Sequence, residues 1–334
     1  MQYNPLVAIY VPTYNSAKTI QKTIQSLLNQ TYKNLIIKVY DNCSDDNTLD
    51  IINKFQSEKI IINTANKTAS AEENYNNCIK DFSSNYACIY HSDDIYHPNI
   101  VKKQIDFFQN KNILATLTDG YIINSKDKVI GKILSSKKVN NRKTINQIDL
   151  FKYIIKHSNF LITPSAMFDV VKLKKYKINH FNNENYGDSA DLDMWLRLAY
   201  FEDGIGILPE KLINYRHSSN QLSYAHRNSI KKSSFFSVID HYLKKDHIVN
   251  FLNNKNLKDL KVLQIRDDIS IIKNLILLNK IDQASEKLNK LNFKNLIILL
   301  NNFKGVKGLF IFFFVFLYLK IRSIKNLIRV NKNL

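Results

Sequence analysis

Short apolar runs rich in β-branched residues alternate with amphipathic segments along the first 110 residues, and this alternation restricts the fold more than any other feature. Strands are predicted over 6–11, 35–40, 59–63 and 86–90, and each is followed by a helical pattern. Asn15 or Ser16 is expected to cap the first of these helices. Strands that alternate with helices of this length form a parallel sheet covered on both faces. The sequence therefore predicts an α/β fold with a mostly parallel sheet and flanking helices.

The pattern changes after residue 117 and again near Ala225, where Asn, Lys, Leu and Ile begin to dominate. In the middle part, strands are predicted over 118–124, 129–134, 205–208 and 211–216, an extended segment over 161–168, and helices over 145–156 and 188–201. Farther on, helices are predicted over 237–252, 257–279 and 281–291. We expect an α/β domain over 1–225, a helical extension over 226–304 and a separate tail over 305–334.

Positive charge is concentrated in the C-terminal third of a chain whose net charge is +19. Residues 226–334 hold 21 Lys and Arg against 7 Asp and Glu. Nucleic acid and an anionic membrane are the candidate partners for such a surface, and a plain solvated basic surface is the alternative. The N-terminus lacks the basic segment and cleavage site of a secretory signal, and three cysteines without ligand spacing indicate reduced thiols, so we expect a cytoplasmic protein.

The tail contains an uncharged apolar run, Gly308 to Leu319. A helix needs roughly 20 apolar residues to span a bilayer, and this run has twelve. Basic residues follow it at Lys320, Arg322, Lys325, Arg329 and Lys332. The pattern favours shallow insertion into an anionic membrane surface, and a buried core helix is the alternative.

Two adjacent carboxylates, Asp93 and Asp94, follow the strand predicted over 86–90, and a helix is expected to begin near Pro98. The carboxyl end of a strand in an open α/β sheet is where such sheets bind ligands. Adjacent carboxylates repel each other, and a divalent cation stabilises both in the ionised form. We expect a solvent-facing metal-binding loop, and a helix-capping turn is the alternative.

Several ordered motifs between residues 5 and 225 resemble those of family 2 glycosyltransferases. The N-terminal ones are Val7-Ala-Ile-Tyr-Val-Pro-Thr-Tyr-Asn15, Leu28-Asn-Gln-Thr-Tyr-Lys-Asn34 and Val39-Tyr-Asp-Asn-Cys-Ser-Asp-Asp-Asn-Thr48. The later ones are Asn74-Tyr-Asn-Asn-Cys78, His91-Ser-Asp-Asp94, Asp191-Leu-Asp-Met-Trp-Leu-Arg-Leu198 and Tyr215-Arg-His217 with Ser223. The resemblance implies a GT-A (Rossmann-like) fold and an inverting, nucleotide-sugar-dependent enzyme.

The resemblance also implies roles for particular residues. Those that would bind the nucleotide-sugar are Pro12, Thr13, Tyr14, Asp41, Asn74 and Asp93. Those that would bind Mn²⁺ or Mg²⁺ are Asp93, Asp94 and His217. Asp191 would be the general base that takes the proton of the acceptor hydroxyl. The chain departs from the family pattern at His91, at Ala190, and in having Arg216 and His217 adjacent.

The function implied is transfer of a sugar, by default from UDP-hexose, to a glycan or lipid-linked acceptor in cell-envelope polysaccharide biosynthesis. Such an enzyme would lie on the inner face of the cell membrane and would have no nucleic-acid partner. Two alternatives remain open at this point. A nucleic-acid-binding protein would use the basic C-terminal third. A nucleotidyltransferase would favour a Gly-rich basic loop after the first strand, where this chain has Pro12-Thr-Tyr-Asn-Ser16.

Overall fold

The computed structural model describes residues 3–217, 229–291, 299 and 311–317. Contacts within the chain divide it into two units, Met1–Ser219 and Asn220–Leu334. The three-part division expected from the sequence stays a proposal.

The N-terminal unit is built on one mixed sheet with the strand order β3-β2-β1-β4-β9-β6-β10-β5, to which β7 and β8 add at β6 and β10. The strands are β1 (Val7–Thr13), β2 (Leu35–Asp41), β3 (Ile60–Thr64), β4 (Tyr86–Ile89), β5 (Ile95–Tyr96), β6 (Ala115–Ile123), β7 (Val129–Ile133), β8 (Thr144–Ile145), β9 (Met167–Asp169) and β10 (Ile205–Arg216). Strands β1 to β4 pair in parallel, as do β6 and β10. The antiparallel additions β5, β7, β8 and β9 have two to five residues.

Helices cover this sheet and make the fold α/β, as predicted. They are α1 (Ile20–Leu28), α2 (Thr48–Asn53), α3 (Ala71–Lys80), α4 (Ile100–Gln109), α5 (Ser135–Lys138), α6 (Gln147–His157), α7 (Val170–Lys175), α8 (Asn183–Tyr186) and α9 (Ala190–Leu198). Helix α1 shows why they form, because Ile20, Ile24 and Leu27 recur on one face and are fully buried in the main core. Each such side chain contributes about 1.5–3 kcal/mol of burial free energy.

The parallel register brings several strand ends to one edge of the sheet. Thr13 at the end of β1 lies opposite Asp41 at the end of β2, and Asp41 lies opposite Thr64 at the end of β3. Strand β4 pairs with β1 up to Ile89, so the residues that follow it emerge at the same edge. Ligands in open α/β sheets bind at this edge.

Helix α1 begins later than the sequence suggested. Asn15 or Ser16 was the expected cap, whereas the helix begins at Ile20 and follows Thr19. Asn15 has a positive φ of 47°, and its side chain accepts a hydrogen bond from the Asp45 N–H. The Ser16 hydroxyl forms a hydrogen bond with the Ser92 hydroxyl. Both side chains hold neighbouring loops, so neither caps the helix.

Two other segments differ from the prediction for local reasons. The run expected to be extended over 161–168 contains a 3-10 turn, Thr163–Ser165, because Pro164 occupies a turn position, and β9 is confined to Met167–Asp169. The two strands expected over 205–208 and 211–216 form one strand, β10, with a register shift after Leu208. Pro209 follows at that point, and a proline cannot donate a ladder hydrogen bond.

The described part of the C-terminal unit is helical. Its helices are α10 (Phe235–Tyr242), α11 (Asp246–Val249), α12 (Asn254–Leu277), α13 (Ile281–Lys290) and a segment over 311–317. The helix expected over 237–252 is therefore two helices. Phe312 and Val315 pack in one core with residues of α12 and α13. Among the described residues, no helix is both long enough and apolar enough to cross a membrane.

Candidate active site

Three side chains that can ligate a metal ion meet in the loop between β4 and β5. Ligand atoms of His91, Asp93 and Asp94 all lie within 4.8 Å of one another. The sequence predicted the two carboxylates but not the imidazole. His91 could have been found from its place in the motif, because an imidazole is also a divalent-metal ligand.

Hydroxyl groups of α1 and the turn before it fix this loop. The Thr23 hydroxyl lies 2.7 Å from the carbonyl oxygen of Asp94 and 3.0 Å from that of Ser92. The Thr19 hydroxyl donates to the same Ser92 carbonyl at 3.0 Å. The Tyr96 hydroxyl accepts the backbone N–H of His91 at 2.7 Å, which closes the loop onto β5. The loop is therefore held by side chains on both of its flanks.

Asp94 is fully buried, so the expectation of a solvent-facing loop was wrong at this residue. Its Oδ1 accepts the backbone N–H of Arg216 at 2.7 Å, whereas its Oδ2 has no hydrogen-bond partner among the described residues. Burial raises the pKa of Asp94 well above its usual range, and the charge of Asp93 raises it further. A buried carboxylate oxygen without a donor is costly unless a cation or proton meets it.

The donor set fits a divalent cation of the Mn²⁺ or Mg²⁺ type. These ions prefer carboxylate oxygens, and Mn²⁺ also accepts imidazole nitrogen. Burial lowers the pKa of His91, so its ring is favoured in the neutral form that can ligate a metal. The unpartnered Oδ2 of Asp94 is the observation that a bound cation would explain.

The residues predicted to bind the nucleotide surround the ends of β1 and β2. Pro12 and Thr13 are buried at the end of β1, and Tyr14 is half exposed just beyond it. Asp41 is buried and accepts hydrogen bonds from the Ser44 hydroxyl at 2.5 Å and the Ser44 N–H at 3.0 Å. The Asp41 carboxylate therefore shapes its own turn, and its role toward the nucleotide stays a prediction.

Asn74, on the first half of α3, is tied to the same edge of the sheet. Its amide nitrogen donates to the carbonyl oxygen of Tyr40 at 3.0 Å, one residue before the end of β2. The next residue, Tyr75, makes an edge contact with the ring of His91 at a centroid distance of 5.4 Å. Helix α3 thus contacts both the end of β2 and the metal-ligand cluster.

Asp191 lies in the first turn of α9 and accepts three hydrogen bonds. Its Oδ2 accepts the Thr163 hydroxyl at 2.7 Å and the Asn159 amide at 3.2 Å, and its Oδ1 accepts the Leu192 N–H at 2.7 Å. Burial raises the pKa of Asp191, and these hydrogen bonds to the carboxylate oppose the rise. A partly buried carboxyl group with a raised pKa is a suitable general base. Thr163 and Asn159 were missed because they are distant in sequence.

Asp193 and Trp195 serve the structure of α9. The Asp193 carboxylate is buried and pairs with Nε of Arg197 at 2.7 Å. Trp195 is fully buried and stacks on Phe168 with a centroid distance of 5.7 Å, so it is a core residue. Of the two aspartates in this turn, Asp191 is therefore the less buried, and among the described residues it has no arginine partner.

A buried glutamine connects the two halves of the site. Gln104 on α4 accepts the Tyr90 hydroxyl at 3.0 Å and donates to the Ser165 carbonyl at 2.8 Å. Tyr90 immediately precedes His91, and Ser165 belongs to the turn that contains Thr163. The metal-ligand loop and the turn that holds Asp191 therefore share one buried polar anchor.

His217 is not part of the described metal-ligand cluster. Its backbone N–H donates to the Ile123 carbonyl at 2.8 Å. Its role as a ligand stays a prediction, and Ser223 lies outside the described residues.

A family model described as Glycosyl transferase family 2 matches residues 8–176. The matched range contains the cluster and the predicted nucleotide-binding residues, whereas Asp191 and His217 lie beyond it. The chain is 28% identical over 193 residues to the Escherichia coli enzyme UDP-Glc:alpha-D-GlcNAc-diphosphoundecaprenol beta-1,3-glucosyltransferase WfaP, covering 58% of this chain and 70% of that protein. It is 24% identical over 321 residues to chondroitin synthase of Pasteurella multocida, covering 86% of this chain but 30% of the synthase.

Solved structures confirm the fold. S. aureus TarS 1–349 in complex with UDP-GlcNAc has a TM-score of 0.53 at 15% identity, covering 80% of this chain and 81% of that one. The mannosyltransferase PcManGT from Pyrobaculum calidifontis, in complex with GDP-Man and Mn²⁺, has a TM-score of 0.55 at 13% identity, covering 98% and 88%. The GT-A architecture expected from the sequence motifs is therefore present.

Proposed function

The chain belongs to glycosyl transferase family 2, and from this premise we propose that it is an inverting, metal-dependent hexosyltransferase. It moves a sugar from a nucleotide-sugar, by default UDP-hexose, to a glycan or lipid-linked acceptor in cell-envelope polysaccharide biosynthesis. The observation that carries the proposal is the cluster of His91, Asp93 and Asp94 with its buried, unpartnered carboxylate oxygen.

In this proposal the donor lies across the carboxyl ends of β1, β2 and β4. Thr13 and Asp41 face the base and ribose, Asp93 contacts the ribose and the cation, and Asp94 binds the cation. Asp93 and Asp94 would hold Mn²⁺ or Mg²⁺, and the bound ion would supply positive charge to offset the negative charge of the departing diphosphate. The protein's part is to hold these carboxylates at fixed positions before the donor arrives, which lowers the cost of reorganisation during the reaction.

Asp191 acts on the acceptor. Its carboxylate takes the proton of the acceptor hydroxyl while that oxygen forms a bond to the anomeric carbon and the diphosphate leaves from the opposite face. One displacement inverts the anomeric carbon, so an α-linked donor gives a β-glycoside. Thr163 and Asn159 keep the carboxylate oriented and ionised through their hydrogen bonds.

The acceptor class is proposed from the similarity to WfaP, whose name specifies a diphosphoundecaprenol-linked acceptor. The apolar and basic C-terminal segment supports a peripheral location on the inner face of the cell membrane, where such an acceptor would be found. A nucleic-acid partner has no comparable support.

The test is a donor screen with the purified full chain. Release of nucleoside diphosphate is measured from UDP- and GDP-hexoses with Mn²⁺, with Mg²⁺ and with excess EDTA, using GlcNAc-diphospho-polyprenol as acceptor. We expect one donor to react, a β-linked product, and loss of activity in EDTA. Full activity in EDTA would refute the metal dependence, and an α-linked product from an α-linked donor would refute inversion.

Asp94→Asn is the variant that addresses the cluster directly. It keeps the shape of the side chain and can still accept the Arg216 N–H, but it removes the negative charge. We expect a rate loss greater than the roughly 10- to 100-fold typical of outer partners of a metal site. Asp106→Asn on α4, whose carboxylate pairs with Lys102 at an exposed position, is the matched control and should retain wild-type activity.

A further inference from the structure

Arg216, at the end of β10, contacts the metal-ligand loop and a distant turn at the same time. Its backbone N–H donates to Oδ1 of Asp94, and its Nε donates to the carbonyl oxygen of Asp93, both at 2.7 Å. Its Nη1 donates to the Asn124 carbonyl at 2.8 Å, and its Nη2 pairs with Oδ1 of Asp127 at 2.6 Å. The side chain is nearly completely buried, at 5% exposure. Truncating this side chain would remove the guanidinium donor from the part-buried Asp93 carbonyl and one of the two cationic partners from Asp127.

Asp127 belongs to the turn between β6 and β7 and is not one of the clustered ligands. Its carboxylate also pairs with Lys22 of α1. The hydrogen bonds from Lys22 and Arg216 lower the pKa of Asp127, so it carries a negative charge at neutral pH. Through Arg216, this charge is connected to the backbone carbonyl of Asp93 and to the carboxylate of Asp94.

We propose that Asp127 and Arg216 are positioning residues that orient the Asp94 carboxylate for the cation and the donor diphosphate. This inference rests on the proposed function. One oxygen of Asp94 is held by the Arg216 N–H, and that hydrogen bond directs the other, unpartnered oxygen. The pairing of β10 with β6 places this N–H, while the guanidinium, which Asp127 holds by a charged contact, fixes the carbonyl of Asp93 next to Asp94.

The decisive variant is Asp127→Asn. Asparagine tolerates the positive φ of 60° found at this position, so the substitution removes the charge without straining the turn. We expect the dissociation constant for Mn²⁺, measured on the full chain from the free-ion EPR signal, to rise about tenfold, the lower end for outer partners of metal sites. The KM for the donor should rise in parallel, while kcat and the melting temperature change little.

Two controls separate this role from general stabilisation. Lys22→Met removes the other partner of Asp127, at a side chain that is 61% exposed, and should leave Mn²⁺ binding unchanged. Asp149→Asn breaks a comparable ion pair with Arg142 outside the cluster and should also leave it unchanged. Arg216→Lys keeps the positive charge but cannot make all the guanidinium contacts, and it should reproduce the loss of affinity.

The outcomes are distinguishable from failure of the proposed function. If Asp94→Asn abolishes Mn²⁺ binding while Asp127→Asn and Arg216→Lys bind like the wild type, the positioning role is wrong and the metal site stands. If the two variants lose affinity only in proportion to a lower melting temperature, or if Lys22→Met loses as much, the role is structural and the inference is wrong. If the wild type binds no Mn²⁺, both proposals fail.

Discussion

Asp191 and Asp94 are both carboxyl groups whose pKa is raised by burial, but their surroundings differ in a way that suits different tasks. Asp191 accepts hydrogen bonds at both oxygens, two of them from the side chains of Thr163 and Asn159. In Asp94, one carboxylate oxygen accepts a hydrogen bond, and the other has no hydrogen-bond partner among the described residues. The first arrangement keeps a base oriented for proton transfer, and the second leaves a lone pair for a cation.

The pH dependence of the reaction should report the environment of Asp191. The proposed base must be ionised to accept a proton, so we expect kcat/KM to rise with pH through the pKa of Asp191, which burial raises from its ordinary value. The Thr163 hydroxyl stabilises the ionised form, and its removal in Thr163→Val therefore raises the pKa further. We expect the acid limb of the kcat/KM profile to move to higher pH in this variant.

The control for this profile is Asp191→Asn. We expect kcat to fall by roughly 10²- to 10⁴-fold, the usual contribution of a positioned acid or base, while donor affinity survives. An acid limb that stays in place in Thr163→Val would assign it to another group. A collapse of donor affinity in Asp191→Asn would make Asp191 a donor-binding or structural residue, and Asp188 would be the next base to test.

Among single residues, the sequence predicted the candidate site residues that closely follow a strand. It missed the hydrogen-bond partners that are distant from them in sequence. Asp93 and Asp94 follow a recognisable strand, so their place at the carboxyl edge of the sheet could be predicted. Thr163 and Asp191 are 28 positions apart, and no local pattern brings them together. The burial of Asp94 was also unpredictable, because it depends on Arg216, which is 122 residues away.

Among the elements, the helix over 311–317 bears on both hypotheses for the tail, a core helix and a membrane-inserting segment, because it has one buried face and one exposed face. Phe312 and Val315 are buried in the core with α12 and α13, whereas Phe313, Phe314 and Leu317 are 57%, 76% and 56% exposed. Residues three apart lie on one helix face, so the core face and the exposed face are distinct. The exposed face is the part available for a membrane.

Serine at all three exposed positions (Phe313→Ser, Phe314→Ser, Leu317→Ser) should weaken sedimentation with anionic liposomes by more than tenfold. Each apolar side chain removed from lipid loses about 1.5–3 kcal/mol of burial free energy. The melting temperature should not fall, because the core face is untouched. Phe312→Ser is the contrasting variant and should lower the melting temperature. Unchanged liposome binding by the triple variant would show that this face is not the membrane contact.

The elements themselves were predictable where the local pattern and the tertiary context agree. Strands β1, β2 and β4 were predicted correctly because they are apolar runs that end at polar turns. Helix α1 was predicted to begin too early, because Asn15 and Ser16 form hydrogen bonds with neighbouring loops instead of capping the helix. The capping preference of a single residue gives no information about such contacts. Strand β9 was overextended because a 3-10 turn interrupts the apolar run.

For the whole molecule, the net charge of +19 makes binding to any polyanion dependent on salt. A membrane and a nucleic acid should nevertheless respond differently. Liposome binding combines charge attraction with apolar insertion, so we expect a measurable part of it to survive at high salt. Binding to a random RNA oligonucleotide depends on counterion release alone and should disappear.

This comparison is made with the full chain at low, physiological and high salt, by sedimentation with liposomes and by fluorescence anisotropy with RNA. Neutral liposomes are the control for the charge contribution. RNA binding that persists at physiological salt would revive the nucleic-acid alternative. If liposome binding falls as steeply with salt as RNA binding does, apolar insertion does not contribute to it.

The composition of the whole chain indicated a shift near Ala225, and the contacts divide the chain at Ser219 and Asn220. A change in residue type is visible in sequence, because α/β segments need β-branched strands and the later helices do not. The packing of Phe312 and Val315 was not visible, because twelve uncharged residues look alike until their neighbours are known.

Strand β9 has a consequence for how such enzymes diversify. It is three residues long and pairs antiparallel with β4 on one side and β6 on the other, so it runs opposite to both of these neighbours. The proposed donor residues lie on β1, β2 and β4, whereas Asp191 follows β9 in the chain. The pairs that β1 makes with β2 and β4 involve no residue after β9. We therefore expect relatives to vary in acceptor, through substitutions around the proposed base, more readily than in donor; the family match, which ends at residue 176, contains the proposed donor residues and not Asp191.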